Sequence, residues 1–152
     1  MSIIRDRHSQ EYHVNENDSA GFKRFNIECS GNLVGYVNCH FEGEVLHIDD
    51  LRIYDKAMRL PLFFVDLFFW IGSFPPQRWR ITNYQNRGLG TAMIEFLAGY
   101  ARRKSAKRIE GEVKPHDFKA NPQLPEWYRH RGFTVVMGDG KAAAVARVSL
   151  AL

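Results

Sequence analysis

Apolar residues between positions 89 and 101 recur with the spacing of one helical face. Successive gaps of three and one residues place them on a single stripe, as in a helix laid against a core. The stripe consists of Leu89, Ala92, Met93, Phe96, Leu97, Tyr100 and Ala101. This pattern predicts an amphipathic α-helix in the middle of the chain.

Shorter runs on both sides of this helix carry the apolar positions typical of β-strands. Turn residues such as Ser30-Gly31-Asn32 and Glu42-Gly43-Glu44 separate them. Residues 12–21 are too short and polar for a helix. We expect an α+β chain with a mixed sheet, because strands come first and are followed by helix, strand, helix and hairpin. The predicted strands are 22–29, 33–41, 45–54, 107–113, 133–137 and 143–150.

The segment Gln85-Asn86-Arg87-Gly88-Leu89-Gly90-Thr91 opens directly into the predicted helix. Unpaired N–H groups and the positive end of the helix dipole make such a turn an anion site. A dinucleotide fingerprint is excluded, because Met93 stands where a third glycine is required. A nucleotide P-loop is also excluded, since no Lys-Ser/Thr pair follows Gly90. The alternative is a tight strand–helix junction without a ligand.

A second signature follows about 40 residues later, with Leu124, Trp127-Tyr128 and Gly132-Phe133 in order. Together with the pattern Gln/Arg-x-x-Gly-x-Gly/Ala at 85–90, it resembles the GCN5-related N-acetyltransferase (GNAT) superfamily. The resemblance implies a three-layer αβα sandwich with a central mixed, mostly antiparallel sheet. It also implies acetyl-CoA as cosubstrate, no metal, and direct transfer of the acetyl group to a primary amine. The alternative is a non-catalytic acyl-CoA-binding regulatory module.

The same resemblance assigns roles to individual residues. Tyr128 would be the acid that protonates the departing thiolate, the alternative being a tyrosine packed in the core. Asp117 would bind substrate and Asn121 the cofactor. The pantetheine arm would lie along strand 45–54 and the pyrophosphate on the loop. The cofactor-binding residues are then Leu51, Arg52, Ile53, Gln85, Asn86, Arg87, Gly88, Leu89, Gly90, Thr91 and Asn121.

Asp49 and Asp50 lie inside an otherwise apolar strand, where alternation places one side chain on each face. A carboxylate there is costly unless it is paired or solvated, so both are candidates for the catalytic base. The alternatives are an ion pair with Arg52 or another cation, and a water chain as the base.

Composition adds few constraints. The 152 residues predict a single domain, 1–152, with ordinary contents of 45% apolar and 25% charged residues. The N-terminus carries no secretion signal, so we expect a cytoplasmic protein. The formal charge of +4 centres on residues 102–108. These cations either are solvated at the helix end or contact a cofactor phosphate; nucleic-acid binding is not expected, because no aromatic residue lies among them.

Residues 55–84 form an insertion between the strand and the loop that together would hold the cofactor. Its segment 60–72 is apolar on every side but too short to span a bilayer. Its apolar surface has to be buried against this chain's own core, against a second subunit in a homodimer, or against an apolar acceptor. We expect its aromatic residues, including Phe63 and Trp70, to border the acceptor site.

Overall fold

The computed structural model describes residues 2–19, 21–54, 84, 86–139 and 143–152. Eight strands form one sheet in the order β1-β2-β3-β4-β5-β6-β8-β7. Three helices belong to the described part. The predicted α+β fold with a mixed, mostly antiparallel sheet is confirmed. The predicted insertion lies outside the described residues except for Tyr84, as do Gln85, Phe63 and Trp70.

The first half of the chain is an antiparallel meander. Two glycines that close its hairpins, Gly31 and Gly43, have φ values of 78° and 57°, which glycine adopts without a steric penalty. Sequence analysis assigned no strands before residue 22, so the first two were missed. The meander consists of β1 (Ser2–Arg5), β2 (Glu11–Ser19), β3 (Phe22–Cys29), β4 (Asn32–Glu42) and β5 (Val45–Ile53).

The second half alternates helices with the remaining strands. The amphipathic helix is confirmed and extends two residues beyond the predicted stripe. Antiparallel β7 and β8 form the predicted final hairpin. The elements are α1 (Leu89–Arg103), β6 (Arg108–Val113), α2 (Pro115–Ala120), α3 (Leu124–Arg129), β7 (Thr134–Met137) and β8 (Ala146–Ala151).

The two halves meet at β5 and β6, which are the parallel neighbours of the sheet. Their pairing runs from Val45 with Arg108 to Ile48 with Gly111 and stops there. Beyond this point β5 stays paired with β4, and β6 stays paired with β8. The sheet therefore opens between the far ends of β5 and β6.

The core lies on one face of the sheet. Alternate residues of the central strands, including Val37, Leu46 and Ile109, are fully buried and pack with Met93 and Leu97 of α1. Tyr128 of α3 belongs to the same cluster. All core strands therefore point their apolar side chains toward α1 and α3.

The opposite face is polar and aromatic, and we call it the open face. Among the described elements, no helix packs on it. Tyr36 carries the guanidinium of Arg24 over its ring at 4.1 Å, and the rings of His40 and His47 stack at 5.0 Å. Phe22 is 56% exposed there and meets His40 edge-on. The described part of the open face thus presents polar and aromatic side chains rather than core residues.

Candidate active site

A cavity of about 810 Å³ occupies the opening between β5 and β6. It is lined by the end of β5, by the start of α1 and by α2 and α3. Its walls come from both halves of the chain, so the site exists only when the halves are joined. It brings together most of the predicted site residues: Asp49, Asp50, Leu51, Arg52, Ile53, Asn86, Gly88, Leu89, Gly90, Thr91, Asp117, Asn121 and Tyr128.

The first turn of α1 faces this cavity with its main chain. Gly88 is the N-cap, with φ of 87°, and no side chain caps the helix. The first turn contains no acidic residue. The first N–H bonded within the helix is that of Ala92, which donates to the Gly88 carbonyl at 3.0 Å, so the preceding N–H groups of Leu89, Gly90 and Thr91 have no partner within the helix. This arrangement suits a multiply charged anion.

Gly90 allows α1 to lie close to α3. A Cβ atom at Gly90 would approach Cζ2 of Trp127 to 3.1 Å, tighter than an ordinary van der Waals contact. The indole of Trp127 therefore covers this part of the first turn. The missing side chain serves helix packing beside the cavity as well as close approach of a ligand.

Arg131 is a cavity residue that sequence analysis missed. Its Nε and Nη2 donate to Thr91 Oγ1 at 2.8 and 2.6 Å, and Nη1 donates to the Trp127 carbonyl at 2.7 Å. The guanidinium also stacks over the Trp127 ring at 3.9 Å. Burial lowers the pKa of Arg131, although the charge of Glu95 opposes this. It lies two residues beyond the end of α3, so no helical spacing in the sequence predicted this contact.

Arg87 lies in the loop but directs its side chain away from the cavity. Its Nε lies 2.8 Å from Oδ2 of Asp6, whose side chain is fully buried. The main-chain carbonyl of Arg87 accepts a hydrogen bond from the Arg7 N–H at 3.0 Å. The loop thus presents its main chain to the cavity, while the guanidinium of Arg87 pairs with Asp6 outside it.

Tyr128 lines the cavity from α3 and is almost buried. Its ring packs edge-on against Trp127 and Phe133, at 4.9 and 5.1 Å between centroids. Burial, with a smaller contribution from the charge of Asp117, raises the pKa of Tyr128 to about 12. The phenol therefore keeps its proton at neutral pH, as a general acid must.

Asp49 and Asp50 do not lie on opposite faces, so that prediction was wrong. A β-bulge shifts the register: Asn38 pairs with Asp50 and Cys39 with Ile48, which leaves Asp49 as the extra residue. Asp49 Oδ2 lies 2.9 Å from His40 Nδ1, and Tyr36 donates to Asp50 Oδ2 at 2.7 Å. Their partners are thus an imidazole and a phenol rather than Arg52.

A second cavity, of about 540 Å³, borders the open face. His40 and His47 line this cavity alone, whereas Asp49 lines both. The shared walls also include Ile48 and Gly111, the last paired residues of β5 and β6. Asp49 therefore lies at the wall that the two cavities share.

Comparison with known proteins identifies the family. The model of the acetyltransferase (GNAT) family matches residues 3–133 of the chain. The chain belongs to this family. No curated protein matches it by sequence.

Solved GNAT structures share the fold at low sequence identity. The GNAT domain of PAT from S. lividans superposes with a TM-score of 0.65 at 13% identity, covering 99% of this chain and 96% of that one. An acetyltransferase from Thermus thermophilus gives 0.58 at 19%, covering 88% and 66%. The PaiA N-acetyltransferase of Thermoplasma acidophilum, in complex with coenzyme A, gives 0.56 at 11%, covering 87% and 62%. The chain spans just under two thirds of the last two proteins.

The basic cluster of this GNAT chain lies away from the cavity. Arg102 and Arg103 are exposed in the last turn of α1, at the end remote from the loop. Lys107 pairs with Glu44 at 2.6 Å, and Arg108 pairs with Glu110 at 3.0 Å. None of these cations lines the cavity. This favours the interpretation that they are solvated at the end of the helix rather than bound to a cofactor phosphate.

Two further findings concern the described part of the GNAT chain alone. No helix there is long and apolar enough to cross a membrane. No group of three or more His, Cys, Asp or Glu side chains within it is arranged to hold a metal ion.

Proposed function

We propose that this protein is an N-acetyltransferase that transfers an acetyl group from acetyl-CoA directly to a primary amine. One observation carries the proposal: a single cavity joins the unpartnered amides of α1, the protonated phenol of Tyr128 and the carboxylate of Asp49. These are an anion site, an acid and a base. Family membership supplies the cosubstrate class.

The cofactor lies with its pyrophosphate on the amides of Gly88 to Thr91. Its pantetheine arm runs along the edge of β5 that no longer pairs with β6, where Leu51, Arg52 and Ile53 line the cavity. An extended amide chain can bind such an edge as an added strand does. Asn121, at the end of α2, lines the same wall and contacts the cofactor.

Transfer begins when the neutral amine attacks the thioester carbonyl carbon. The new C–N bond forms, the tetrahedral intermediate collapses, and the C–S bond breaks. Tyr128 gives its phenolic proton to the departing thiolate and regains one from solvent. The proton released by the amine goes to Asp49. Each proton thus has a stated donor and acceptor, and no acetyl-enzyme is formed.

The base is Asp49, with His40 acting through it. His40 Nδ1 lies 2.9 Å from Oδ2 of Asp49, so its N–H donates to the carboxylate and orients it. Asp49 itself lines both cavities, so a proton accepted at its carboxylate can leave to solvent by the open face. His40 had no sequence signal of its own, because the bulge that brings it to Asp49 is not visible in the pattern.

The acceptor amine enters from the open face. Asp49 and Asp50 attract a cationic amine there, and the amine loses its ammonium proton to solvent before it attacks, so that Asp49 remains free to accept the proton released during transfer. Tyr36 holds the Asp50 carboxylate in place. Asp117, on the wall beside Tyr128, orients the substrate near the thioester.

Isothermal titration with acetyl-CoA is the first test, and we expect saturable one-site binding. Release of CoA thiol is then measured across a panel of primary amines. Absence of binding by the folded protein would exclude the proposal. Binding without thiol release from any amine would instead favour a non-catalytic acyl-CoA-binding module.

Initial-rate kinetics test direct transfer. We expect intersecting double-reciprocal lines when both substrates are varied, because both must be bound before reaction. Parallel lines would indicate a covalent acetyl-enzyme and would contradict the mechanism.

A further inference from the structure

Asp6 is the buried charged residue of the described part of the chain, and the mechanism above does not use it. One carboxylate oxygen accepts hydrogen bonds from the N–H groups of His8 and Gln10, at 2.8 and 3.0 Å. The other accepts from the Tyr12 hydroxyl at 3.0 Å and lies 2.8 Å from Arg87 Nε, an ion pair without hydrogen-bond geometry. A buried carboxylate is tolerated only with such partners.

These partners keep Asp6 charged. Burial by itself raises the pKa of Asp6, but the hydrogen bonds from Gln10, His8 and Tyr12 and the charge of Arg87 lower it below its ordinary value. Asp6 is therefore an anion at neutral pH. Three of the four partners belong to the hairpin of β1 and β2. The fourth, Arg87, belongs to residues 86–91 at the start of α1, which we call the phosphate loop.

The hairpin and the loop also touch through their main chains. The Arg7 N–H donates to the Arg87 carbonyl at 3.0 Å. A Cβ atom at Gly88 would lie 3.5 Å from the Arg7 nitrogen. The turn after β1 therefore lies directly against the loop, although some eighty residues separate them in the chain.

The loop needs such support because its backbone is held in an unusual conformation. Asn86 and Gly88 have φ values of 59° and 87°, in the left-handed region. For Asn86, which carries a side chain, this conformation is sterically unfavourable. It persists only where surrounding structure holds it. Arg87, between these two residues, is the one whose side chain and carbonyl are both held by the hairpin.

We propose that Asp6 is a positioning residue for the phosphate loop. By holding Arg87 at its side chain while Arg7 holds its carbonyl, the hairpin presents the amides of residues 88–91 to the cofactor. The site is thus preorganised before the ligand arrives, and little binding energy is spent on ordering the loop. The choice of CoA as the ligand of this loop rests on the proposed function.

Affinity for CoA, with catalysis as a second readout, tests the proposal. Asp6→Asn keeps the shape of the side chain but removes the charge. We expect its Kd for CoA to rise about 10-fold, the effect typical of losing a well-bonded supporting group. At saturating acetyl-CoA, kcat should stay within about twofold of wild type, because the loop does not contact the reacting atoms.

Arg87→Gln is the second variant, and it leaves the three hydrogen bonds within the hairpin intact. It should weaken CoA binding to a similar extent, and the double variant should bind no worse than either single one. Glu11→Gln is the matched control, since it breaks an exposed pair with Arg5 in the same hairpin. We expect it to bind CoA as wild type does.

Hydrogen exchange without ligand separates this inference from the proposed function. In Asp6→Asn and Arg87→Gln, the amides of Arg7 and Ala92, which donate to the carbonyls of Arg87 and Gly88, should exchange faster, while those of β4 and β5 stay protected. If wild type failed to bind CoA, the proposed function would fall, and exchange would still test the positioning. Unchanged exchange and affinity in Arg87→Gln would overturn the inference even if Asp6→Asn did not fold.

Discussion

The two sides of the opening between β5 and β6 use different chemistry. On the α1 side, the groups presented belong to the main chain: the amides of the first turn and the edge of β5. On the open face they belong to side chains, chiefly Tyr36, His40, Asp49 and Asp50. A main-chain site requires particular backbone geometry, which glycines and turns reveal. A side-chain site requires only that certain residues meet, and sequence spacing says little about that.

We therefore expect the two sides to bind different molecules, the main-chain side the cofactor and the side-chain side the acceptor. A site made of amides accepts any molecule with the same phosphate and amide groups, so it can stay constant while the acceptor changes. The side chains of the open face can be exchanged one at a time without disturbing the fold. Substitutions on the two sides should therefore separate cofactor affinity from acceptor turnover.

Tyr128 belongs to neither side, and its replacement should give the largest effect. Tyr128→Phe should lower kcat about 100-fold or more while leaving CoA affinity nearly intact, because it removes only the proton donor. Since its pKa is raised to about 12, the phenol keeps its proton well above neutrality. Wild-type kcat should therefore not fall through deprotonation of Tyr128 until the pH exceeds about 11. An unchanged kcat in the variant would make Tyr128 a packing residue.

Gly90→Val tests the main-chain side. The new side chain would meet the Trp127 indole and push α3 away from α1, so CoA affinity should fall about 10- to 100-fold, the equivalent of a typical overpacking cost. Gly99→Val in the same helix is the matched control, because a Cβ there meets only Arg103 Nη1 at 3.5 Å. Calorimetric titration of both should show a loss in the first alone. Equal affinities would mean that the contact with Trp127 does not shape the site.

His40→Gln and Asp49→Asn test the side-chain side. Each should lower kcat about 10-fold, less than complete loss of a general base, because water can take part of the role. The CoA affinity of both should match wild type. The double variant should be scarcely slower than Asp49→Asn, since the two residues act as one unit. Additive losses in steady-state kcat would show that they act separately.

Tyr36→Phe should have the smallest effect. It removes the hydroxyl that holds Asp50 and leaves the ring under Arg24, so the acceptor KM should rise about threefold with kcat unchanged. Steady-state kinetics with the best amine of the panel would measure it. A change in acetyl-CoA KM instead would place Asp50 on the cofactor side.

The same contrast explains what could be predicted from the sequence. The stripe of α1 and the loop at 85–91 followed from local patterns and Tyr128 from the family resemblance, and the described residues of the loop other than Arg87 line one cavity with Tyr128. The bulge at Asp49, the Asp6–Arg87 pair and the Arg131–Thr91 contact depend on tertiary register. No local periodicity contains that information. Strands β1 and β2 were also missed, because β1 has only four residues and β2 has apolar residues only at Tyr12 and Val14, before a polar run from Asn15 to Ser19.

The short parallel seam between β5 and β6 also bears on how the molecule folds. The meander before it is built from hairpins between chain neighbours, which close early at little entropic cost. The seam joins Val45 to Arg108, so it must await closure of a far longer stretch of chain. We therefore expect the meander to form first and the seam to form late. Because a ligand held across that seam binds only the finished protein, CoA should slow unfolding and raise the melting temperature, and the rise should grow with the logarithm of CoA concentration above its Kd.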